Sequence, residues 1–271
     1  MKNISTLVKA RRSVRTYDGR MLDERTKEQL LSFTKNLQNP FLIPVEFKFL
    51  DAKKEGLTSP VVIGTDWYVG GKIQKVPYAS LAFGYSFEEF VLFAQSLGIG
   101  TVWLGGTMNR SAFEQAMELS ENEMMPCATP IGYIADKMSL RENMMRKATK
   151  ADERLPFEEL FYDSSFDKPL TREKAGSFAE PLEMVRLAPS AVNKQPWRIV
   201  IADHTAHFYL KRSKGLGGEG KLDMQMIDMG IALCHFALTA KENGCKLEFV
   251  QDDPKLTTND TVTYIASYRN I

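Results

Sequence analysis

Arg11, Arg12, Ser13, Val14 and Arg15 set three guanidiniums and a hydroxyl within five residues. A guanidinium offers a planar fork of donors that matches phosphate oxygens, and a serine adds a neutral donor. The run suits a phosphate with further anionic groups nearby; it also fits a basic surface turn. A second run, Ala188 to Trp197, holds Ser190, Asn193 and Gln195 between Pro189 and Pro196. The prolines restrict the backbone, the short polar groups can donate or accept, and Trp197 adds a large apolar surface. This is a frame for a planar heterocycle, or else an ordinary helix-to-strand loop. In the third run, Thr101 to Leu104 leads into Gly105 and Gly106. With no Cβ in the way, backbone N–H groups there can approach a ligand closely; a strand ending in a tight turn reads the same.

The elements around these runs follow from periodicity. Leu22 to Leu37 has the apolar spacing of an amphipathic helix, ended by Asn39 and Pro40. Val45 to Leu50 alternates as a half-buried strand, and Val61 to Ile63 reads as a short buried one. Ser86 is a candidate N-cap for a helix to Leu97. Asn109 is placed to cap a helix over Arg110 to Leu119, and Ala128 to Ile134 reads as a strand. Arg141 to Arg154 is dense in charge and methionine and reads as a linker or solvated helix. Beyond it come a helix at Phe178 to Leu187 and strands at Arg198 to Ile201 and His207 to Leu210. A helix at Ile227 to Asn243 and strands at Lys246 to Val250 and Thr261 to Ser267 complete the chain. Helix, loop, strand, helix, strand thus occurs twice.

The three runs together resemble the signature segments of the nitroreductase family of FMN-dependent oxidoreductases. The stretch Leu97 to Gly106 is similar to the family segment that reaches the flavin N5. Ala128 to Tyr133 is similar to a late core strand, and Arg154-Leu155-Pro156 to a phosphate-contacting segment. The order departs from the usual one, because Asn36 to Pro44 holds no Pro-Ser motif and that loop comes only in the second half. The chain therefore resembles the branch in which one polypeptide mimics the family homodimer. The resemblance implies an α+β fold: a central mixed or antiparallel sheet flanked by helices, in two related halves, residues 1–155 and 156–271. It places helices Phe87 to Leu97 and Ile227 to Asn243 near a pseudo-twofold axis.

The function so implied is hydride transfer from NADH or NADPH, by way of FMN, to a small acceptor such as a nitroaromatic or quinone, with ping-pong kinetics. Arg11, Ser13 and Arg154, helped by Arg12, are expected at the phosphate, and Arg15 near flavin N1 and O2. Trp103, Leu104, Gly105 and Gly106 are expected along the flavin, with the Gly106 N–H toward N5. Pro189, Ser190, Ala191 and Asn193 are expected from the second half. No side chain stands out as a catalytic acid. Many family members carry an acidic residue where Gly105 stands. One FMN per chain and a monomer are expected. A flavin store or redox sensor without turnover is the alternative.

Composition narrows the classes. The formal net charge is +1 and the charged fraction 25%, which is no footprint for nucleic acid. Three cysteines without a C-x-x-C pair support neither a disulfide framework nor a cysteine-rich metal site. No membrane-spanning run and no signal-peptide pattern is visible, so a cytoplasmic location is expected. Gly215 to Gly220 matches G-x-G-x-x-G, but the polar stretch Lys221 to Asp228 separates it from the next apolar helix. Glu248 and Asp252 also come later than a ribose-binding acid should. A flexible surface loop is expected there, and Asp66 to Lys75 and Ser213 to Gln225 are both lid candidates. His204 and His207 lack a third metal ligand, and His235 reads as a satisfied core histidine.

Overall fold

The computed structural model describes residues 1–213, 222–257 and 262–271. The chain divides into two compact units. One holds Met1 and Ala10–Ala151; the other holds Lys2–Lys9 and Asp152–Ile271. Helix α1 (Ile4–Ala10) opens the chain.

The first unit contains α2 (Glu24–Thr34), β1 (Glu46–Asp51), α3 (Ala52–Glu55), β2 (Trp67–Gln74) and α4 (Ala79–Ser96). It ends with β3 (Ile99–Gly100), α5 (Arg110–Ala116), β4 (Glu123–Met124), β5 (Ala128–Pro130), β6 (Gly132–Tyr133) and α6 (Leu140–Ala148). Strands β1, β4 and β5 all pair antiparallel with β2, and β3 pairs with β6. So β2 is the central strand, and Asp66 to Lys75 is not a lid. Its glycines disguise it. A Cβ at Gly70 would stand 2.4 Å from Met117 Sδ, and one at Gly71 2.8 Å from the Phe83 ring. Small residues there let Phe83 of α4 and Met117, just past the end of α5, press onto the strand.

Helix α4 is buried nearly all round, as its apolar sequence requires. It begins at Ala79 rather than at Ser86, and Ser86 is an interior residue whose Oγ accepts from Asn39 Nδ2 at 3.1 Å. The Val61 to Ile63 strand reduces to an isolated bridge between Ile63 and Thr16. The expected Thr101 to Leu104 strand reduces to bridges at Thr101 and Leu104 beyond β3.

The second unit contains α7 (Phe157–Leu160), β7 (Phe161–Asp163), α8 (Arg172–Ala175), α9 (Ala179–Leu187), β8 (Trp197–Ala202) and β9 (Thr205–Lys211). Helix α10 (Met224–Glu242), β10 (Leu247–Val250) and β11 (Val262–Asn270) follow. The five strands run in the order β10-β11-β9-β8-β7, antiparallel except for the parallel β7–β8 pair. Phe208, Phe236 and Tyr268 pack together between β9, α10 and β11. His235 on α10 is buried and bonds through Nδ1 to the Met184 carbonyl at 2.9 Å. Asp203 and His204 form a two-residue hairpin with positive φ at both, the twist that hairpins favour. His207 instead bonds Ser267 Oγ through Nδ1 at 2.8 Å. The Gly215 to Gly220 motif lies outside the described residues, as does most of the Ser213 to Gln225 lid candidate.

Candidate functional site

In the first unit, the Arg11 to Arg15 run is an extended strip stitched to its neighbours. Val14 N donates to Thr101 O at 2.8 Å, Ile63 N to Arg15 O at 2.9 Å and Tyr17 N to Ile63 O at 2.8 Å. Val14 is buried at the strip's centre, so the arginines flank an apolar anchor. Two buried carboxylates organise them. Glu142 on α6 accepts from Arg12 Nη1 at 2.8 Å, from Arg15 N at 3.1 Å and from Thr16 Oγ1 at 2.8 Å. Glu88 on α4 accepts from Trp103 Nε1 at 2.9 Å and stands 3.9 Å from Arg11 Nε.

Burial of a guanidinium is costly unless its donors are met. The Arg11 side chain is only 6% exposed. Its Nε and that of Arg15 are both buried, and neither has a hydrogen-bond partner among the described residues. Desolvation pulls both guanidiniums below the usual arginine range; Glu88 and Glu142 oppose this, and the nearby positive charge of Arg146 adds to it. Two buried donors without acceptors, in a field already crowded with positive charge, fit an anionic group such as a flavin phosphate.

The glycine pair lies a few residues beyond Trp103. Leu104 is buried in a core cluster, and its N–H and carbonyl are both exchanged with Ala128 at 2.8 and 3.1 Å. Leu104, expected as a site residue, is thus spent on packing and has no free polar group to offer. The Arg110 guanidinium bonds to the carbonyls of Gly105, Met125 and Pro126. In a trans peptide the N–H points opposite to the carbonyl. Tethering the Gly105 carbonyl to Arg110 therefore turns the Gly106 N–H the other way. Gly106 is exposed, and a Cβ there would meet nothing within 4 Å. Trp103 is held at one edge by Glu88 and packs on Phe87 with centroids 4.7 Å apart.

In the second unit, Arg154 and the Pro189 to Trp197 loop are brought together. Arg154 donates to Leu187 O at 3.2 Å and to Asn193 Oδ1 at 3.4 Å, and Asn193 Nδ2 donates to Glu153 O at 3.0 Å. Ser190 Oγ accepts from Gln195 N at 2.9 Å, and Gln195 Oε1 accepts from Leu155 N at 2.9 Å. Val192, Asn193 and Gln195 all have positive φ, at 45°, 57° and 48°. A β-branched residue such as Val192 rarely adopts that region, and such strain persists only where the surroundings impose it. Asp228, buried on α10, supplies part of that constraint by accepting from Ala191 N at 2.9 and 3.1 Å. Its burial raises the carboxyl to about 8, with Asp223 adding to the rise and the Ala191 bond opposing it. Trp197 is fully buried at the start of β8 and anchors the loop from within.

Glu88, Arg110, Glu142 and Asp228 carry much of this geometry, and no sequence motif singled them out. One signal existed: Ser139-Leu-Arg-Glu142 is a capping-box pattern that marks the start of α6. Ser139 Oγ accepts from Glu142 N at 3.1 Å, so Arg141 to Arg154 is not a plain linker.

The antiparallel sheet of the first unit and the mixed sheet of the second, each packed with helices, define a nitroreductase-like α+β fold. A family model described as "Putative TM nitroreductase" matches residues 3–240, and the chain belongs to this nitroreductase family of oxidoreductases. A solved structure from Thermotoga maritima, described as a "putative nitroreductase", is 20% identical. The match covers 99% of this chain and 92% of that one, with a TM-score of 0.63. A nitroreductase with bound FMN from Bacteroides fragilis is 20% identical over 52% of this chain and 92% of its own, with a TM-score of 0.41. An iodotyrosine deiodinase bound to FMN and 3-iodo-L-tyrosine is 14% identical over 50% and 92%, with a TM-score of 0.43. Comparison with curated proteins finds no match. Among the described residues, no helix is long and apolar enough to cross a membrane.

Proposed function

We propose that this nitroreductase-family protein is an FMN-dependent oxidoreductase that moves hydride from NADH or NADPH to a small acceptor such as a nitroaromatic or quinone. The observation that carries the reading is the pair Arg11 and Arg15, whose buried Nε donors make no hydrogen bond among the described residues. When bound, FMN supplies the hydride-accepting and hydride-donating chemistry at its N5.

The chain's own residues bind and tune. Arg11 and Ser13 hold the phosphate, with Arg12 contributing while Glu142 fixes its Nη1. Arg154 is proposed at the phosphate on the resemblance alone, and its observed bonds make it the support of the loop as well. Arg15 keeps a fixed cation beside the edge where negative charge collects on reduction. A preorganised charge in a dry site stabilises that form without reorganisation. The N–H groups of Gly105 and Gly106 donate toward N5, and Trp103 packs alongside. Pro189, Ser190 and Ala191 line the ring, and Asn193 meets its pyrimidine edge. No side chain is assigned as an acid; the proton comes from water or the acceptor. A chain of two related halves, 1–155 and 156–271, working as a cytoplasmic monomer with one flavin, completes the reading.

The test is a visible spectrum of purified protein before and after anaerobic NADH and then NADPH. A flavin spectrum that bleaches is the expected result. One that persists with both nucleotides moves the assignment to a flavin store or sensor. A colourless protein that takes up no FMN overturns it.

A further inference from the structure

Arg110 is the first residue of α5. A cation is unfavourable at a helix N-terminus, where the backbone already presents positive partial charge, so the helix does not explain the residue. Its guanidinium instead gathers carbonyls from two segments. Nη1 donates to Met125 O at 2.8 Å, and Nη2 donates to Pro126 O at 3.2 Å and to Gly105 O. Glu114, one turn along α5, accepts from Nη1 at 3.3 Å, and both side chains are partly exposed. A rigid fork of donors holds several acceptors at fixed angles; a lysine ammonium is a point charge on a flexible stem.

The peptide that Arg110 grips lies between Gly105 and Gly106. The chain on either side of it is fixed. Leu104 exchanges both backbone bonds with Ala128, Ser59 Oγ donates to Thr107 O at 2.6 Å, and Asn109 N donates to Thr58 O at 3.0 Å. Between these anchors, glycines at both ends of the peptide leave its plane free to turn over, because no Cβ opposes either orientation. Turning the plane exchanges the places of its N–H and its carbonyl. Among the described residues, the bond from Arg110 to the Gly105 carbonyl is what tells the two orientations apart. It leaves the Gly106 N–H directed away from the guanidinium, without a hydrogen bond among the described residues and beside open space.

We propose that Arg110 is a positioning residue for the hydride-transferring edge of the flavin: it locks the Gly105–Gly106 peptide with its N–H, and not its carbonyl, toward N5. This rests on the flavin reading. N5 of oxidised flavin carries a lone pair, so an N–H placed there attracts it and a carbonyl oxygen repels it. Arg110 acts through the peptide, and its fork geometry matters more than its charge.

The test uses the full chain, freed of flavin by dialysis and reloaded with isotopically labelled FMN. Wild type is compared with Arg110→Gln, Arg110→Lys and the control Glu114→Gln, which removes the ion pair and keeps the carbonyl bonds. In flavin-free protein the Gly106 amide resonance reports the bond on the preceding carbonyl. It should move in Arg110→Gln and stay in place in Glu114→Gln. In loaded wild type the N5 resonance should show an accepted hydrogen bond, and bound FMN should slow exchange of the Gly106 amide proton. Arg110→Gln should lose both signatures and bind FMN about fivefold to tenfold more weakly, the worth of one such bond. Arg110→Lys should recover little of either signature, and thermal midpoints confirm that each variant is folded. Wild-type N5 and Gly106 signatures in a folded Arg110→Gln or Arg110→Lys variant overturn the proposal and leave the flavin reading standing; the lysine result alone assigns the effect to charge. A wild type that binds no FMN overturns the flavin reading and this proposal with it.

Discussion

Arg15 shows how one side chain can be set up by its backbone. Its N–H is held by Glu142 and its carbonyl by Ile63 N, so the strip cannot rotate, yet its Nε stays unmatched among the described residues. A charge fixed in this way costs folding energy that a bound anion returns. Arg15→Ala should therefore weaken FMN binding by about tenfold to a hundredfold. If reduced FMN loses tenfold more than oxidised FMN, the two-electron midpoint should fall by about 30 mV. Flavin titration and a redox titration against a dye of known potential check both. An unchanged affinity and potential would remove Arg15 from the role assigned to it.

The elements make the strip and the loop possible. Gly100, at the end of β3, lies where a Cβ would stand 2.9 Å from both Val14 Cγ1 and Ile134 Cγ1. Val14 anchors the strip, so Gly100→Ala should push the strip outward and cost about 1–3 kcal/mol, the usual range for overpacking. Urea unfolding measures the loss, and a variant as stable as wild type would show that the strip yields freely. In the second unit, α10 carries Asp228 under the strained loop. The folded carboxyl is raised to about 8, well above its ordinary 3.8. Between these values the folded chain keeps a proton that the unfolded chain has released. Its contribution is thus fully present below about pH 4 and declines as pH rises toward about 8, by at most about 1.4 kcal/mol per pH unit. Asp228→Asn removes the proton exchange, so its stability relative to wild type should grow from pH 5 to pH 8. Unfolding midpoints of the two proteins across that range decide it; a constant difference would place the titration elsewhere.

At the scale of the whole molecule, the two units differ in what they carry. The Arg11 to Arg15 strip and the Gly105–Gly106 end belong to the first unit, and the Pro189 to Trp197 loop to the second. The described part of the second unit has no counterpart of the arginine strip. Fully loaded protein should accordingly hold close to one FMN per chain. Flavin absorbance against protein concentration measures the ratio, and a value near two would contradict the reading.

By itself, the sequence determined the α+β class and the family, because these rest on local signals. Arg11 to Arg15, Pro189 to Trp197 and the long apolar patterns of α4 and α10 are legible from residue type and spacing alone. The tertiary structure decided the rest. β2 was hidden because Gly70 and Gly71 remove the strand's own apolar signal, and their purpose appears only once Met117 and Phe83 press against them. Ser86 looked like a cap because a lone serine says nothing about burial. That Leu104 joins a buried core cluster and pairs its backbone with Ala128 is likewise beyond what residue type and spacing tell. Glu88, Arg110, Glu142, Arg146 and Asp228 each act on groups far away in sequence or on the backbone. A charged residue in a helical pattern reads as solvated surface unless its distant partners are known. Those partners are set by packing between elements, and packing is where the chemistry of a buried charge is decided.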